Sequence, residues 1–100
     1  MIAMDLDNQK LYFGKNGTWE NSGDPTSGAT GTGSLKDLTA NEYYHFVINP
    51  RGGSTYCNFG NGYFGTTAVS SAGTNASGNG IFEYDCPNGY TSLSTKGLNL

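Results

Sequence analysis

Apolar and polar positions alternate in short runs along residues 2–25. Ile2, Met4 and Leu6 alternate with Ala3, Asp5 and Asp7, a period of two that places an apolar row on one face of a strand. Asp7-Asn8-Gln9-Lys10 then reverses the chain, because Asp and Asn bond their own backbone in turns and tolerate left-handed dihedrals. Leu11 and Phe13 resume the apolar row. Lys15-Asn16-Gly17-Thr18 turns again, with Asn-Gly supplying the positive φ angles of a type I′ hairpin. The segment predicts a β-meander: two alternating strands and a third short one.

Residues 21–34, NSGDPTSGATGTGS, have no period and predict an exposed, adaptable loop. Leu35 and Leu38 fall in a short connecting element. The strongest strand pattern spans residues 42–49, with Tyr44, Phe46 and Ile48 on one face and Tyr43, His45 and Val47 on the other. Both faces are largely apolar or aromatic, which predicts a strand covered on both sides. Pro50-Arg51-Gly52-Gly53 is a turn, and residues 54–59 are the expected partner strand, with Cys57 and Phe59 on one face. Residues 65–80 form a second loop of small polar residues. A short strand at 81–84, a turn at 86–90 and two anchors, Leu93 and Leu98, complete the chain. No segment sustains a helical period and no full-length repeat is visible. The pattern predicts one all-β domain over residues 1–100, an antiparallel β-sandwich or part of one.

Composition agrees with that class. The chain has 100 residues, of which 16 are Gly, 13 aromatic and 13 charged. Gly weakens helices, and aromatic side chains fit a pleated surface. So many aromatics also argue against a disordered chain. Net charge is −3 and Arg51 is the only arginine, so there is no basic patch to neutralise phosphates; nucleic acid and anionic membranes are excluded as partners. No apolar run approaches the roughly 20 residues of a membrane span. The first residues lack a basic region, and Asp5 and Asp7 interrupt any signal-like core. A soluble chain without its own address label is expected.

No constellation points to catalysis. Asp5 and Asp7 lie two apart, which on a strand puts both carboxylates on one face, as metal ligation or acid–base work would need. The plainer reading, a solvated strand face leading into a turn, is preferred, and the spacing of a calcium-binding loop is missing. His45 is the single histidine, so any triad must use it, yet its place inside an aromatic strand predicts a packed side chain. Cys57 has no basic neighbour in sequence to lower its pKa, and its place beside Phe59 predicts a core residue. Cys57 and Cys86 allow one disulfide, but without CxxC spacing or adjacent histidines they do not suggest a metal site. Gly60-Asn61-Gly62 lacks the spacing and lysine of a phosphate loop. No enzyme, metal or cofactor is expected.

Trp19 is the better candidate for binding. It follows the Asn-Gly turn and precedes a polar loop, where a planar ring could stack on a sugar or a peptide. The alternative is that it closes one edge of a sandwich against Tyr12 or Phe13. Asn21, Asp24 and Arg51 are loop-borne polar groups that could join it. The Asn16-Gly17-Thr18 and Asn75-Ala76-Ser77 sequons are expected by chance in so Asn- and Thr-rich a chain.

Three runs in order, AMDLDNQKLYFGKNGTWENSGDP, YYHFVINPRGGSTYCNFGNGYF and FEYDCPNGYTSLSTKGLN, resemble the C-terminal half of SPRY-like domains of bacteriophage structural proteins. The matching positions are Asp5, Asp7, Leu11, Phe13, Lys15, Asn16 and Gly17 in the hairpin, then Tyr43 and Tyr44, then Asn58, Phe59 and Gly60. Pro87, Gly89, Tyr90, Leu93, Thr95 and Leu98 match the family's ending. His45 and Phe46 stand where that family often has Pro-Ala, Cys57 where it often has Phe, and Cys86 where it often has Pro. The resemblance implies a concanavalin A-like sandwich of jelly-roll type, of which this chain is the second half. The first half would lie upstream in a longer polypeptide, come from another chain, or be replaced by a reduced sandwich.

It further implies a non-enzymatic structural or adhesion module of a phage virion, in a tail fibre, head fibre or decoration protein. Its partners would be other virion proteins or a host-surface glycan or protein, within an oligomer or larger assembly on the particle. Two alternatives stay open. One is a lectin-like carbohydrate-binding domain served by Trp19 and the Tyr-rich loops; the other is a peptide-binding SPRY module of a cellular protein.

Overall fold

The N-terminal meander forms where the alternation predicts it, but the sheet buries the opposite face. The computed structural model describes residues 1–45, 47–71, 73, 74, 78 and 80–93. Strand β1 (Ile2–Asp5) pairs antiparallel with β2 (Lys10–Lys15), in the register Ile2↔Phe13, Ala3↔Tyr12, Met4↔Leu11 and Asp5↔Lys10. Asp5 fastens the turn between them: Oδ1 accepts the Asn8 amide at 2.9 Å and Oδ2 accepts the Asn8 side-chain amide at 2.8 Å. Asp7 lies beyond the end of β1, in the turn, so the two carboxylates do not share a strand face as expected. Asn16 (φ 50°) and Gly17 (φ 81°) carry the chain into β3 (Thr18–Trp19), with the two positive φ angles a type I′ turn requires. Strand β4 (Lys36–Asp37) pairs with β2 through Lys10↔Asp37 and Leu11↔Lys36. The result is a four-stranded antiparallel sheet with β2 at its centre.

The buried pair is Ala3 and Tyr12, 4% and 1% exposed, while Ile2, Met4 and Phe13 of the apolar row are 39–48% exposed. The loop after β3 decides this, because it folds back over Tyr12. Pro25 is buried there, a Cβ on Gly23 would lie 3.3 Å from the Tyr12 ring, and the Tyr12 hydroxyl is 3.4 Å from Ser27 Oγ. Tyr90 holds the loop down by donating its hydroxyl to the Pro25 carbonyl at 2.9 Å. A buried tyrosine with its hydroxyl partnered contributes a large apolar area at little polar cost.

That loop is organised, contrary to the expectation of an adaptable one. Two short 3-10 turns, Glu20–Ser22 and Gly28–Thr30, frame it. Asp24 N bonds Thr32 O at 2.9 Å, Ser27 Oγ donates to Asp24 O at 2.6 Å and accepts from Thr32 N at 2.9 Å. Its small polar side chains therefore stand in for strand partners. Gly33 permits the closest approach: it has φ 64°, and a Cβ there would lie 2.5 Å from Asn21 O and Gly23 Cα. Leu38, 7% exposed, closes the far end, its amide donating to Gln9 O at 2.8 Å.

The strand predicted at 42–49 does not form. Its described residues, 42–45 and 47–49, have no regular structure and are exposed, Tyr43 at 95% and Val47 at 79%; Phe46 lies outside the described residues. Residues 54–59 form no strand either, so Cys57 is exposed rather than in a core, and His45 is exposed rather than packed. A strand apolar on both faces needs cover on both, and no described element supplies it. Tyr44 instead accepts the Thr39 amide on its hydroxyl at 2.5 Å.

Pairing resumes at β5 (Tyr63–Phe64) and β6 (Thr67–Ala68), a hairpin turning at Gly65 with φ 61°. Part of the predicted loop at 65–80 is thus strand. Strand β7 (Gly73–Thr74) pairs with β8 (Ile81–Phe82), in the register Gly73↔Phe82 and Thr74↔Ile81. The predicted strand at 81–84 is reduced to its first two residues. Asn58 ties these pieces together, donating Nδ2 to Ile81 O at 2.9 Å and accepting the Gly60 amide on Oδ1 at 2.7 Å. In the tail Leu93 is 67% exposed and Ser92 is buried in its place; Thr95, Leu98 and the Asn75-Ala76-Ser77 sequon lie outside the described residues. The whole is a small all-β domain of antiparallel sheets with a radius of gyration of 13.7 Å, near the roughly 13 Å usual for a folded chain of this size.

Candidate functional site

Two glycines of the β2–β3 hairpin act as seats for aromatic rings. A Cβ on Gly14 would fall 2.9 Å from Cε3 of Trp19, so the indole lies directly against the backbone. A Cβ on Gly17 would fall 3.0 Å from Cδ1 and 3.1 Å from Cε1 of Tyr84, so that ring rests on the turn itself. The local sequence explains both: a glycine at each place removes the side chain that would hold a ring away. Trp19 is half-buried and Tyr84 is 42% exposed.

The two rings border an open cleft of about 440 Å³, together with Met1, Ser71, Glu83 and Asp85. Two carboxylates therefore flank Tyr84 along the chain. Glu83 is held in place: Oε2 accepts the Ser70 amide at 2.7 Å and Oε1 accepts the Ser70 hydroxyl at 2.6 Å. The hydroxyl bond first, and the amide bond after it, lower its pKa below the usual carboxylate value, so it stays ionised at neutral pH. Asp85 is exposed and, among the described residues, has no hydrogen-bond or ion-pair partner. The cleft thus combines aromatic surface with negative charge.

A second cleft, of about 390 Å³, runs between the β1–β2 turn and the tail, past Asp5, Asp7, Pro25, Asn88 and Tyr90. Here burial first, and the charge of Asp5 second, push the Tyr90 hydroxyl up to about 12. Asp5 is committed to Asn8 and Tyr90 to Pro25, so this region clasps tail to loop rather than presenting reactive groups. Among the described residues no three His, Cys, Asp or Glu side chains are grouped to hold a metal ion. Cys57 and Cys86 are not bonded to each other.

Of the four residues expected to bind, only Trp19 lines the cleft. Asn21 is exposed in a left-handed conformation, φ 55°. Asp24 turns its carboxylate onto Thr26, accepting the amide at 2.9 Å and the hydroxyl at 2.6 Å; the hydroxyl bond chiefly, then the amide, lower its pKa. Arg51 sits in an exposed turn and borders neither cleft. Tyr84, Glu83 and Asp85 escaped sequence reasoning. The available signal was an aromatic residue between two carboxylates, directly after a short strand.

Set against family models, characterised proteins and solved structures, the chain matches none. Among the described residues no helix is long and apolar enough to cross a membrane.

Proposed function

We propose that this chain is a non-enzymatic module of a bacteriophage virion, a tail-fibre, head-fibre or decoration component built as part of a SPRY-like sandwich. The assignment to phage rests on the three ordered motif runs. The physical observation that supports an assembly role is the uncovered sheet face, where Ile2, Met4 and Phe13 remain 39–48% exposed. A contiguous apolar row of this kind is a contact surface, and in a sandwich it is the face a second sheet covers. Mass spectrometry of purified virions is the test. The peptide is expected in particles at structural-protein abundance, and its absence from them would overturn the assignment.

The Trp19–Tyr84 cleft supports a second reading, a lectin-like carbohydrate-binding domain. Sugars present C–H faces that pack on aromatic rings and hydroxyls that donate to carboxylates. On a glycan array the chain is expected to retain a subset of oligosaccharides and to lose them in Trp19→Ala. A blank array leaves the assembly role alone.

A further inference from the structure

We propose that the Trp19–Tyr84 cleft selects cationic saccharides, those with a free protonated amine, over neutral and anionic ones; the inference deepens the carbohydrate reading and rests on it. The cleft is bordered by two rings, two carboxylates and Met1, whose amino group is already bound to the Gly14 carbonyl, and no lysine or arginine is among its described lining residues. An ammonium group gains over neutral hydroxyls here in two ways. It is attracted to the ring faces of Trp and Tyr, and it is attracted to the charges of Glu83 and Asp85. The two carboxylates have different parts. Glu83 is fixed by Ser70, which spends one bond on each of its oxygens, and it serves as standing negative charge. Asp85 has no partner among the described residues and is exposed, so it can turn to the ligand without breaking a contact. A uronic or sialic acid would bring a third negative charge to the same cleft, and the net charge of −3 repels it at longer range.

The test is calorimetric titration of the full chain with three oligosaccharides of equal length: glucosamine, N-acetylglucosamine and galacturonic acid oligomers, in mildly acidic low-salt buffer. The glucosamine oligomer is expected to bind about tenfold more tightly than the neutral one, as one ring contact and exposed charge pairs allow, and the anionic one not at all. Asp85→Asn is expected to weaken the cationic oligomer more than the neutral one, so that the preference between them falls about threefold. Because Asp85 holds nothing among the described residues, this variant reads charge recognition without disturbing structure. Raised salt should narrow the preference. Equal binding of the neutral and cationic oligomers, or an Asp85→Asn chain with unchanged preference, overturns the selectivity while leaving a lectin. No binding of any of the three, together with a blank glycan array, overturns the carbohydrate reading itself.

Discussion

Tyr12 is 1% exposed and Tyr43 is 95% exposed, although each sits in a stretch whose sequence predicts a strand. The difference lies in what each stretch finds close by. Around Tyr12, β1 supplies a partner across a short turn, β3 and β4 extend the sheet, and the loop at 20–34 supplies a cover. Residues 42–49 have residues 54–59 as their expected partner, and a two-stranded hairpin alone is marginal in water. Four strands and a lid hold where two strands do not. Alternation nominates a strand, but neighbours on the edge and over the face elect it.

The largest expected effect tests this contrast directly. Tyr12→Ala should cost about 3–5 kcal/mol in urea denaturation, whereas Tyr43→Ala should change stability by no more than about 0.5 kcal/mol. A loss above about 1 kcal/mol at Tyr43 would mean that residues 42–49 are packed after all.

The next comparison uses two glycines with similar backbones and different surroundings. Gly33 has φ 64° and a Cβ added there would meet backbone atoms at 2.5 Å, whereas Gly52 has φ 79° with nothing within 4 Å. Gly52→Ala should cost about 1 kcal/mol, the dihedral penalty alone. Gly33→Ala should cost about 3 kcal/mol, because crowding is added to it. Equal losses in thermal melts would show that the 20–34 loop gives way as easily as the 51–53 turn.

Smaller again is the clasp. Tyr90→Phe should lose about 1 kcal/mol with the bond to Pro25. The Tyr90 pKa is raised from 10.0 to about 12 in the folded chain, so its contribution is whole below pH 10 and is lost as pH rises toward 12. Wild-type stability should fall across that window more steeply than that of Tyr90→Phe. The smallest effect belongs to Asp24, whose pKa is lowered by Thr26. Its contribution is present above the ordinary carboxylate pKa and disappears as pH falls below it. Asp24→Asn should therefore flatten the acid limb of the stability curve slightly.

Local chemistry was legible in the sequence and long-range choice was not. Asn16-Gly17 announces its turn because few residues accept two positive φ angles. The first reversal falls near its expected place, but Asp5, read as a strand-face residue, fastens it through Asn8 in place of Asp7. Which face of β1 and β2 is buried depends on the loop that folds over Tyr12, and alternation alone names two faces without ranking them. Trp19 was legible as an aromatic beside a turn. Tyr84 was not, since its seat on Gly17 exists only after a distant segment docks. Asn21, Asp24 and Arg51 look alike in sequence as loop polar groups, yet Asp24 is spent on Thr26.

The Tyr90–Pro25 bond joins positions 65 residues apart, and that separation orders events in time. Closing so long a segment costs about 2 kcal/mol more chain entropy than the five-residue step from Asp5 to Lys10. The hairpin therefore assembles on the fast, local timescale, and the clasp closes after it. Until it does, the lid over Tyr12 is held by its own bonds alone. During synthesis the sheet would form early and wait unlatched, because the residue that latches its lid is made 65 positions after the lid itself.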